Sequence, residues 1–586
     1  MRGRWGQSVL CGALALGCGP APVAVEGSKR ALTLLHTADI HSRVWPFRSR
    51  ISRFEAELGL GESLALAEVG GAARLATLLE VERRRGDALW LDSGDVLEGA
   101  EVFHRYGGHL ELELLSSLGL GALALGNHEL SLDGGTLGQL LEESAKFPVL
   151  AANLQPRTDS ALWGRLVPSA LLDVAGVKVG VVGVANPTSP PNLGSRTNPW
   201  GLERRELVDA VQVAVDELVS RAALIVVLSH LGLDEDRFLV ASTSGIDLVL
   251  GGHQHILTAE PEWQDDCNSA SLQETRGCSP RRVPIVHSGA YAQWLSRLEL
   301  ELAPDPAAPA TFELTALSLT QLPVAASVPN DASVQAYLEA HRPPPEPPLA
   351  FLPMPLARRS ALAGDSALGD LTADAVLAAT SADVAVLNSS GLRDDLEAGP
   401  LLRSDLDLAF PFDEPWRLVW LDGRTLRDAL ERSAARSAQR GCEAALQVAG
   451  LRLEIRCGAC EARSPDCLQI ERPGPDGDVP LADDARLLVA LPVYLTLPSG
   501  DFEDVGGTGS DLAGTTVAFI AGYAASRGRR AADEPCASEL GAWSPSRCLE
   551  AFGVQGCPLS KARARAACRS LPEVEGGRDG RITVLP

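Results

Sequence analysis

Three features of the chain predict a layered α/β domain, then a second α+β domain, then a small disulfide-rich tail. Short apolar runs alternate with helix-like segments from residue 31 to about 300, the pattern of strands packed between helices. A proline-rich break, RPPPEPP, interrupts the pattern, and a mixed α and β pattern resumes from 349 to about 525. Residues 526–586 are polar and hold four cysteines. The expected divisions are a leader at 1–27, a first domain at 28–325, a linker at 326–348, a second domain at 349–525 and the tail at 526–586.

In the leader, Arg2 and Arg4 precede the apolar stretch VLCGALALGC. That is an export-signal architecture, and the stretch is shorter than the ~20 apolar residues that span a bilayer as a helix. ALGC resembles a bacterial lipoprotein box with Cys18 as the lipidated residue, although Ala15 and Leu16 are swapped relative to the usual order. The expectation is an exported protein of the periplasm or cell envelope, attached to the membrane through lipidated Cys18. No later stretch reads as a membrane span.

The strand candidates of the first domain are ALTLLHTADIH, ALWLDSGD, ALALGNHE, FPVLAANL, VKVGVVGVA, ALIVVLSHLG, IDLVLGGHQH and VPIVHSGAY. Their continuous apolar character suits strands covered on both faces. Between them, GGAARLATLLEVERRRG and ELVDAVQVAVDELVSRA have helical spacing. Several runs end in Asp, His or Asn. Ligands of open α/β sheets bind outside the carboxyl ends of the strands, so these side chains point to one shared site.

Composition narrows the partners. Lys plus Arg total 52 against 76 Asp plus Glu, a net charge of −24. That argues against a nucleic acid polymer, which requires a basic face. A small phosphorylated substrate remains compatible, because bound cations invert the local sign. Of the 12 Cys, ten lie beyond the leader. An even number in an exported chain reads as disulfides, with Cys267–Cys278 the expected local pair. Cys457 and Cys460 form a CxxC, but no second Cys or His pair stands nearby to complete a zinc site.

The site candidates are Asp39 and His41 in HTADIH, Asp95 in LDSGD, Asn127 and His128 in GNHE, His230 closing ALIVVLSH, and His253 and His255 in GGHQH. Each alone is an ordinary loop or capping residue. Together they take up half of the 10 His in the chain, each motif just after a separate apolar run. Their mixed N and O character suits Zn, Mn or Fe.

This order of motifs resembles the calcineurin-like metallophosphoesterases. With the second domain, the chain resembles the 5'-nucleotidase family, which includes UDP-sugar hydrolases, over roughly residues 31 to 525. The resemblance implies a metallophosphoesterase β-sandwich flanked by helices and two divalent metal ions. Asp39, His41 and His255 would hold one, Asn127, His230 and His253 the other, and Asp95 would bridge. Two such cations clamp a phosphoryl group and lower the pKa of bound water toward ~7, which supplies hydroxide for in-line attack. His128 would reach the substrate and protonate the leaving oxygen. The family pattern GNHEFD places an Asp that orients this His, but Ser131 stands there. Ser131, or Asp133 after a reshaped turn, is left as the support, and a blunted acid is expected.

In the second domain, LNSSGLRDDLEAG resembles the NGGGIR loop, which implies that Asn388 and Arg393 contact substrate. LPSGDFED resembles GGDGF, which implies that Asp501 binds ribose hydroxyls. An upstream Arg of the family aligns with Ala382. The two Phe that sandwich a nucleobase in the family fall at Ala445 and Leu495, with Tyr494 and Phe502 close by. Loss of both rings is expected to weaken nucleotide preference. The functional expectation is a phosphoesterase acting on 5'-nucleotides or related small phosphorylated compounds. The alternative is a non-catalytic binding protein on a degenerate scaffold.

Overall fold

The structure, a computed structural model, describes residues 29–186, 198–304, 312–526 and 581–585, apart from short stretches at 345–347, 361–362, 413–414, 440–441, 462–463, 465, 475–476, 497–499 and 503–509. The leader with Cys18, and Cys536, Cys548, Cys557 and Cys568 of the tail, lie outside the described residues.

The first domain is a sandwich of two sheets. In spatial order the first sheet runs Phe312–Pro323, Trp294–Pro304, Arg30–Thr37, Ala88–Asp92, Ala122–Ala124, Val149–Leu150 and Leu166–Val167. The second runs Glu262–Asp265, Arg282–His287, Leu248–Gly251, Leu224–Ser229, Val177–Val184 and Ser169–Val174. Strand alternation sorts the side chains. Leu32 and Leu34 face inward with Leu91, Ala122 and Ala124, against Val179, Val181, Val226, Leu228, Leu248 and Leu250 of the other sheet. Leu35 and Trp90 turn outward onto the helices Ala72–Arg85 and Gly134–Ser144 through Leu75, Leu79, Leu137 and Leu140. On the opposite side, Val211 and Val215 of Leu207–Leu218 and Leu239 of Leu233–Ser242 cover Val182, Val227 and Val249. Each fully buried Leu or Val contributes about 1.5–3 kcal/mol of burial free energy, so the double-faced apolar runs are what hold the strands in register.

The site-bearing strands are parallel within each sheet. Arg30–Thr37 pairs with Ala88–Asp92, which pairs with Ala122–Ala124, and Leu224–Ser229 pairs with Leu248–Gly251. Their carboxyl ends therefore share an edge in each sheet.

The linker contains the helix Ala332–Ala340, which docks on the first domain through Val334 and Leu338. The second domain is built on a five-stranded sheet in the order Leu446–Ala449, Val384–Asn388, Arg486–Pro492, Pro415–Asp422 and Ser510–Thr515. Helices Ala367–Ala379 and Thr516–Ser526 share one core with it. Helix Gly423–Gln439 and a small four-stranded sheet share the other.

The last strand of that small sheet comes from the expected tail. Ile582–Leu585 pairs in parallel with Arg452–Arg456, and Ile582 is completely buried in the second-domain core. Residues 582–585 thus pack with the second domain, where they complete a sheet edge. Cys267 and Cys278 are joined as expected. The CxxC is divided between two bridges, Cys442–Cys457 and Cys460–Cys467, which leaves neither thiol for zinc.

Candidate active site

All seven side chains proposed as metal ligands meet at the edge where the two sheets end. The groups Asp39, His41 and His255, and Asp95, His230 and His253, each present ligand atoms within 4.8 Å of one another. Asn127 completes the second group, its Oδ1 lying 3.2 Å from His230 Nε2 and 3.0 Å from His253 Nδ1. Asp95 Oδ2 lies 2.9 Å from His230 Nε2 and 3.9 Å from His41 Nε2, so it faces both groups.

The backbone reaches this arrangement against its local preference. Asp39, His41, Asp95, His253 and His255 all have positive φ between 51° and 77°. Such non-glycine conformations cost of order 1–3 kcal/mol each and persist only where the surroundings over-determine them. Here they do. Asp39 N–H donates to the Gly94 carbonyl, His41 N–H to that of Asp95, and Tyr291 N–H to that of Asp39. The Asp39 carboxylate accepts from His253 N–H at 3.0 and 3.1 Å.

GNHE follows its strand for four distinct reasons. Gly126 is needed because a Cβ there would stand 2.2 Å from Asp95 Oδ1 and 2.3 Å from Asp95 N. Asn127 supplies the amide oxygen. His128 N–H donates to Asp95 Oδ1 at 2.8 Å, which aligns the imidazole with the cluster. The buried Glu129 carboxylate accepts four backbone N–H groups, from Asp95 (3.2 Å), Val96 (2.8 Å), Leu97 (3.1 Å) and Gly126 (2.8 Å). It ties the two metal-bearing loops together.

Electrostatics divide the imidazoles. Burial, reinforced by neighbouring cationic groups, holds His41 and His255 well below the usual range and His253 down at about 4. For His230, burial is outweighed by the Asp95 and Asp39 carboxylates, which push it up to about 10. His230 Nδ1–H donates to the Ser93 carbonyl at 2.7 Å, which turns Nε2 inward. Asn186 Nδ2 lies 3.0 Å from His253 Nε2; turned over, the amide would place its oxygen there, hold the proton on Nε2 and free Nδ1 for a cation. The donor set therefore fits divalent cations. His41 Nε2 and His255 Nε2 face each other at 3.0 Å in a buried site, an arrangement of lone pairs that a cation between them would satisfy.

The second domain closes over this edge. Arg393 Nη2 comes to 3.1 Å from His255 Nε2, and its guanidinium lies 5.4 Å from the Phe412 ring centre. Phe412 stacks on His128 with 5.1 Å between ring centres and 23° between planes. Arg43, held between Phe47 and Tyr291 at 4.3 and 4.1 Å, bridges to Asp394 of the second domain at 2.9 Å.

Two families of proteins match this chain. Residues 32–257 match the calcineurin-like phosphoesterase domain and residues 348–503 the 5'-nucleotidase C-terminal domain. In this order the two matches give the chain the two-domain make-up of 5'-nucleotidase-type metallophosphoesterases, to which it is similar over most of its length. It is 27% identical to the 5'-nucleotidase of Mus musculus over 483 residues, covering 75% of this chain and 80% of that one. It is 27% identical to the snake venom 5'-nucleotidase of Naja atra over 454 residues, 72% and 81% of the two chains. The 5'-nucleotidase precursor of Thermus thermophilus shares the fold at a TM-score of 0.72 and 24% identity, covering 95% of this chain and 99% of that one. The family is one of metal-dependent phosphoric ester hydrolases.

Within this 5'-nucleotidase frame, the expected support of His128 needs correction. Neither Ser131 nor Asp133 supports His128. Ser131 is exposed, and Asp133 caps the helix Gly134–Ser144 by accepting from Gly135 and Thr136 N–H at 2.8 and 3.1 Å. Glu98 takes the place instead, with Oε2 2.5 Å from His128 Nδ1. For His128, burial opposes ionisation, but Asp95 and Glu98 outweigh it and raise the imidazole above its ordinary range. Ala445 and Leu495 provide no aromatic face, as expected. Leu495 is only 2% exposed in the second-domain core, and the ring beside His128 is that of Phe412. Phe502 is likewise buried, whereas Tyr494 is 53% exposed.

The remaining second-domain candidates divide. Asn388 ends its strand, donates to Ser390 Oγ at 2.9 Å, and lines one small cavity with Phe410 and Phe412. Asp501 is fully buried against helix Gly423–Gln439, where Arg436 pairs with its carboxylate and Arg432 donates to its carbonyl at 2.6 Å. Its Oδ1 has no hydrogen-bond partner among the described residues.

Proposed function

We propose that the chain is an exported, dimetal phosphoesterase that hydrolyses 5'-nucleotides or related small phosphate monoesters. The observation that carries this reading is the convergence of Asp39, His41, Asp95, Asn127, His230, His253 and His255 on one buried edge, capped by an Arg and an aromatic ring from the second domain. When bound, two divalent cations polarise the phosphoryl oxygens and bring a water molecule toward ionisation at neutral pH. Asp39, His41 and His255 would hold one, and Asn127, His230 and His253 the other, with Asp95 facing both.

The chain's own groups supply the rest. Arg393 offers a planar fork to the phosphate oxygens as charge shifts onto them. His128 lies with Nε2 toward the cluster, 3.7 Å from Asp95 Oδ2, where it can give a proton to the departing ester oxygen. Phe412 offers a flat apolar face for a nucleobase. The family match supports phosphate ester hydrolysis, and the intact cluster gives the non-catalytic alternative no support.

Phosphate release from AMP, 4-nitrophenyl phosphate, a sugar phosphate and UDP-glucose tests the reading, together with metal analysis. Two equivalents of divalent metal and release from AMP are expected. Absence of both metal and turnover would sink the proposal. Export and attachment through Cys18 rest on the leader's sequence. Labelling with a radioactive fatty acid that disappears in Cys18→Ala is the corresponding test.

A further inference from the structure

Glu98 is a residue that the motif pattern does not mark. It lies three positions after Asp95 in the loop that follows Ala88–Asp92, at φ 59°. Both of its polar ends are used. Its carboxylate lies 2.5 Å from His128 Nδ1, and its carbonyl accepts from His41 Nδ1 at 3.0 Å. One residue thereby fixes the ring orientation of His41 in the candidate metal site and of His128, the imidazole assigned to the leaving oxygen. The Glu98 side chain is only 14% exposed and that of His128 10%, so the pair is shielded from competing water. The neighbouring Gly99, at φ 128°, lets the loop press against His41, where a Cβ would come within 2.7 Å of the His41 Cβ. The loop is shaped to bring Glu98 back over the cluster.

We propose that Glu98 is the positioning residue for His128 in phosphate ester cleavage, filling from a different loop the role that the GNHEFD pattern gives to the position of Ser131. The proposal rests on the phosphoesterase reading. A carboxylate on Nδ1 holds the proton there and aims Nε2 at the substrate. In the step served, the ester P–O bond breaks and its electron pair leaves with the ester oxygen, which takes the Nε2 proton. A water oxygen forms the new bond to phosphorus, and the proton it sheds restores His128. The alcohol and inorganic phosphate are the products. In this chain position 131 is a serine and the acid on His128 Nδ1 is Glu98. A carboxylate at either position can satisfy Nδ1, but Glu98 also belongs to the loop that carries Asp95, so ring and metal site are positioned by one segment.

The test uses the metal-loaded enzyme and two esters, AMP and 4-nitrophenyl phosphate. Glu98→Gln should lower kcat for AMP by about 10- to 100-fold, the usual loss when the partner orienting a site histidine is removed. KM and metal content should stay near wild type. The loss on 4-nitrophenyl phosphate should be much smaller, because nitrophenolate departs without a proton. Unchanged turnover of AMP, or equal losses on both esters with loss of metal, would overturn the proposal. A second measurement needs neither turnover nor a Glu98 variant. In protein labelled with ¹⁵N-histidine, a strongly downfield imidazole N–H signal that vanishes in His128→Asn is expected, and its absence from the wild type would equally overturn the proposal. If the wild type cleaves neither ester, the phosphoesterase reading fails, while this signal still decides whether Glu98 holds the ring.

Discussion

Glu129→Gln is the sharpest perturbation of the site's framework. The glutamate carboxylate receives two N–H groups on each oxygen, Val96 and Leu97 on Oε1 and Asp95 and Gly126 on Oε2. Glutamine keeps the shape but has one acceptor oxygen. Whichever way its amide turns, its NH₂ confronts two buried backbone donors. An unsatisfied buried donor costs about 1–3 kcal/mol, so the substitution should cost roughly 2–6 kcal/mol, close to the whole stability of a marginal domain. The affected donors include Asp95 N–H, whose residue is held at φ 55°. Freed from that clamp, Asp95 should no longer face both metal groups. The expected result is a lowered urea midpoint together with roughly 10- to 100-fold weaker metal affinity, read by denaturation and by metal titration against a chelator. An unchanged midpoint with two tightly bound metals would refute the clamp.

Three further outcomes follow from the geometry. Arg393→Lys keeps the charge but loses the planar fork that reaches the cluster; kcat/KM for AMP should fall at least about tenfold, with metal content unchanged. Phe412→Ala removes the ring face, and base stacking is worth roughly 1–3 kcal/mol, so the ratio of kcat/KM for AMP to that for ribose 5-phosphate should drop about 5- to 150-fold, whereas effects transmitted through His128 alter both substrates alike. Burial raises Glu111 from 4.5 to about 7, only partly offset by Ser42. The folded state therefore retains a proton that the unfolded chain has already lost, and stability declines as pH rises from about 4.5 to 7. Glu111→Gln lacks this decline; it should match the wild type near pH 4.5 and exceed it by roughly 3 kcal/mol above pH 7. Parallel melting curves at both pH values check this.

The legibility of the site divides along a physical line. The candidate cluster was readable because each motif follows its own apolar strand, and an Asp, His or Asn at the end of so many buried runs points to one shared edge. Asp39, His41, Asp95 and His253 are legible in this way. Their conformations are not: sequence favours negative φ for every one of these residues, and only hydrogen bonds between loops, such as those to the Gly94 and Asp95 carbonyls, impose the left-handed turn. Glu98 is hidden for the same reason. Its partner lies thirty residues away, and an acid in a loop is ordinary until the fold brings it onto an imidazole. A motif position records one solution to a geometric need. Here the need, an acceptor on Nδ1 of His128, survives while the position that met it has changed. A missing motif residue therefore signals loss of function only after every loop at that strand edge has been searched for its replacement. Phe412 makes the same point for the ring. The family pattern places the aromatic faces at Ala445 and Leu495, whereas the ring that lies on His128 is that of Phe412, in the segment just before Pro415–Asp422, a contact between domains that no local pattern announces.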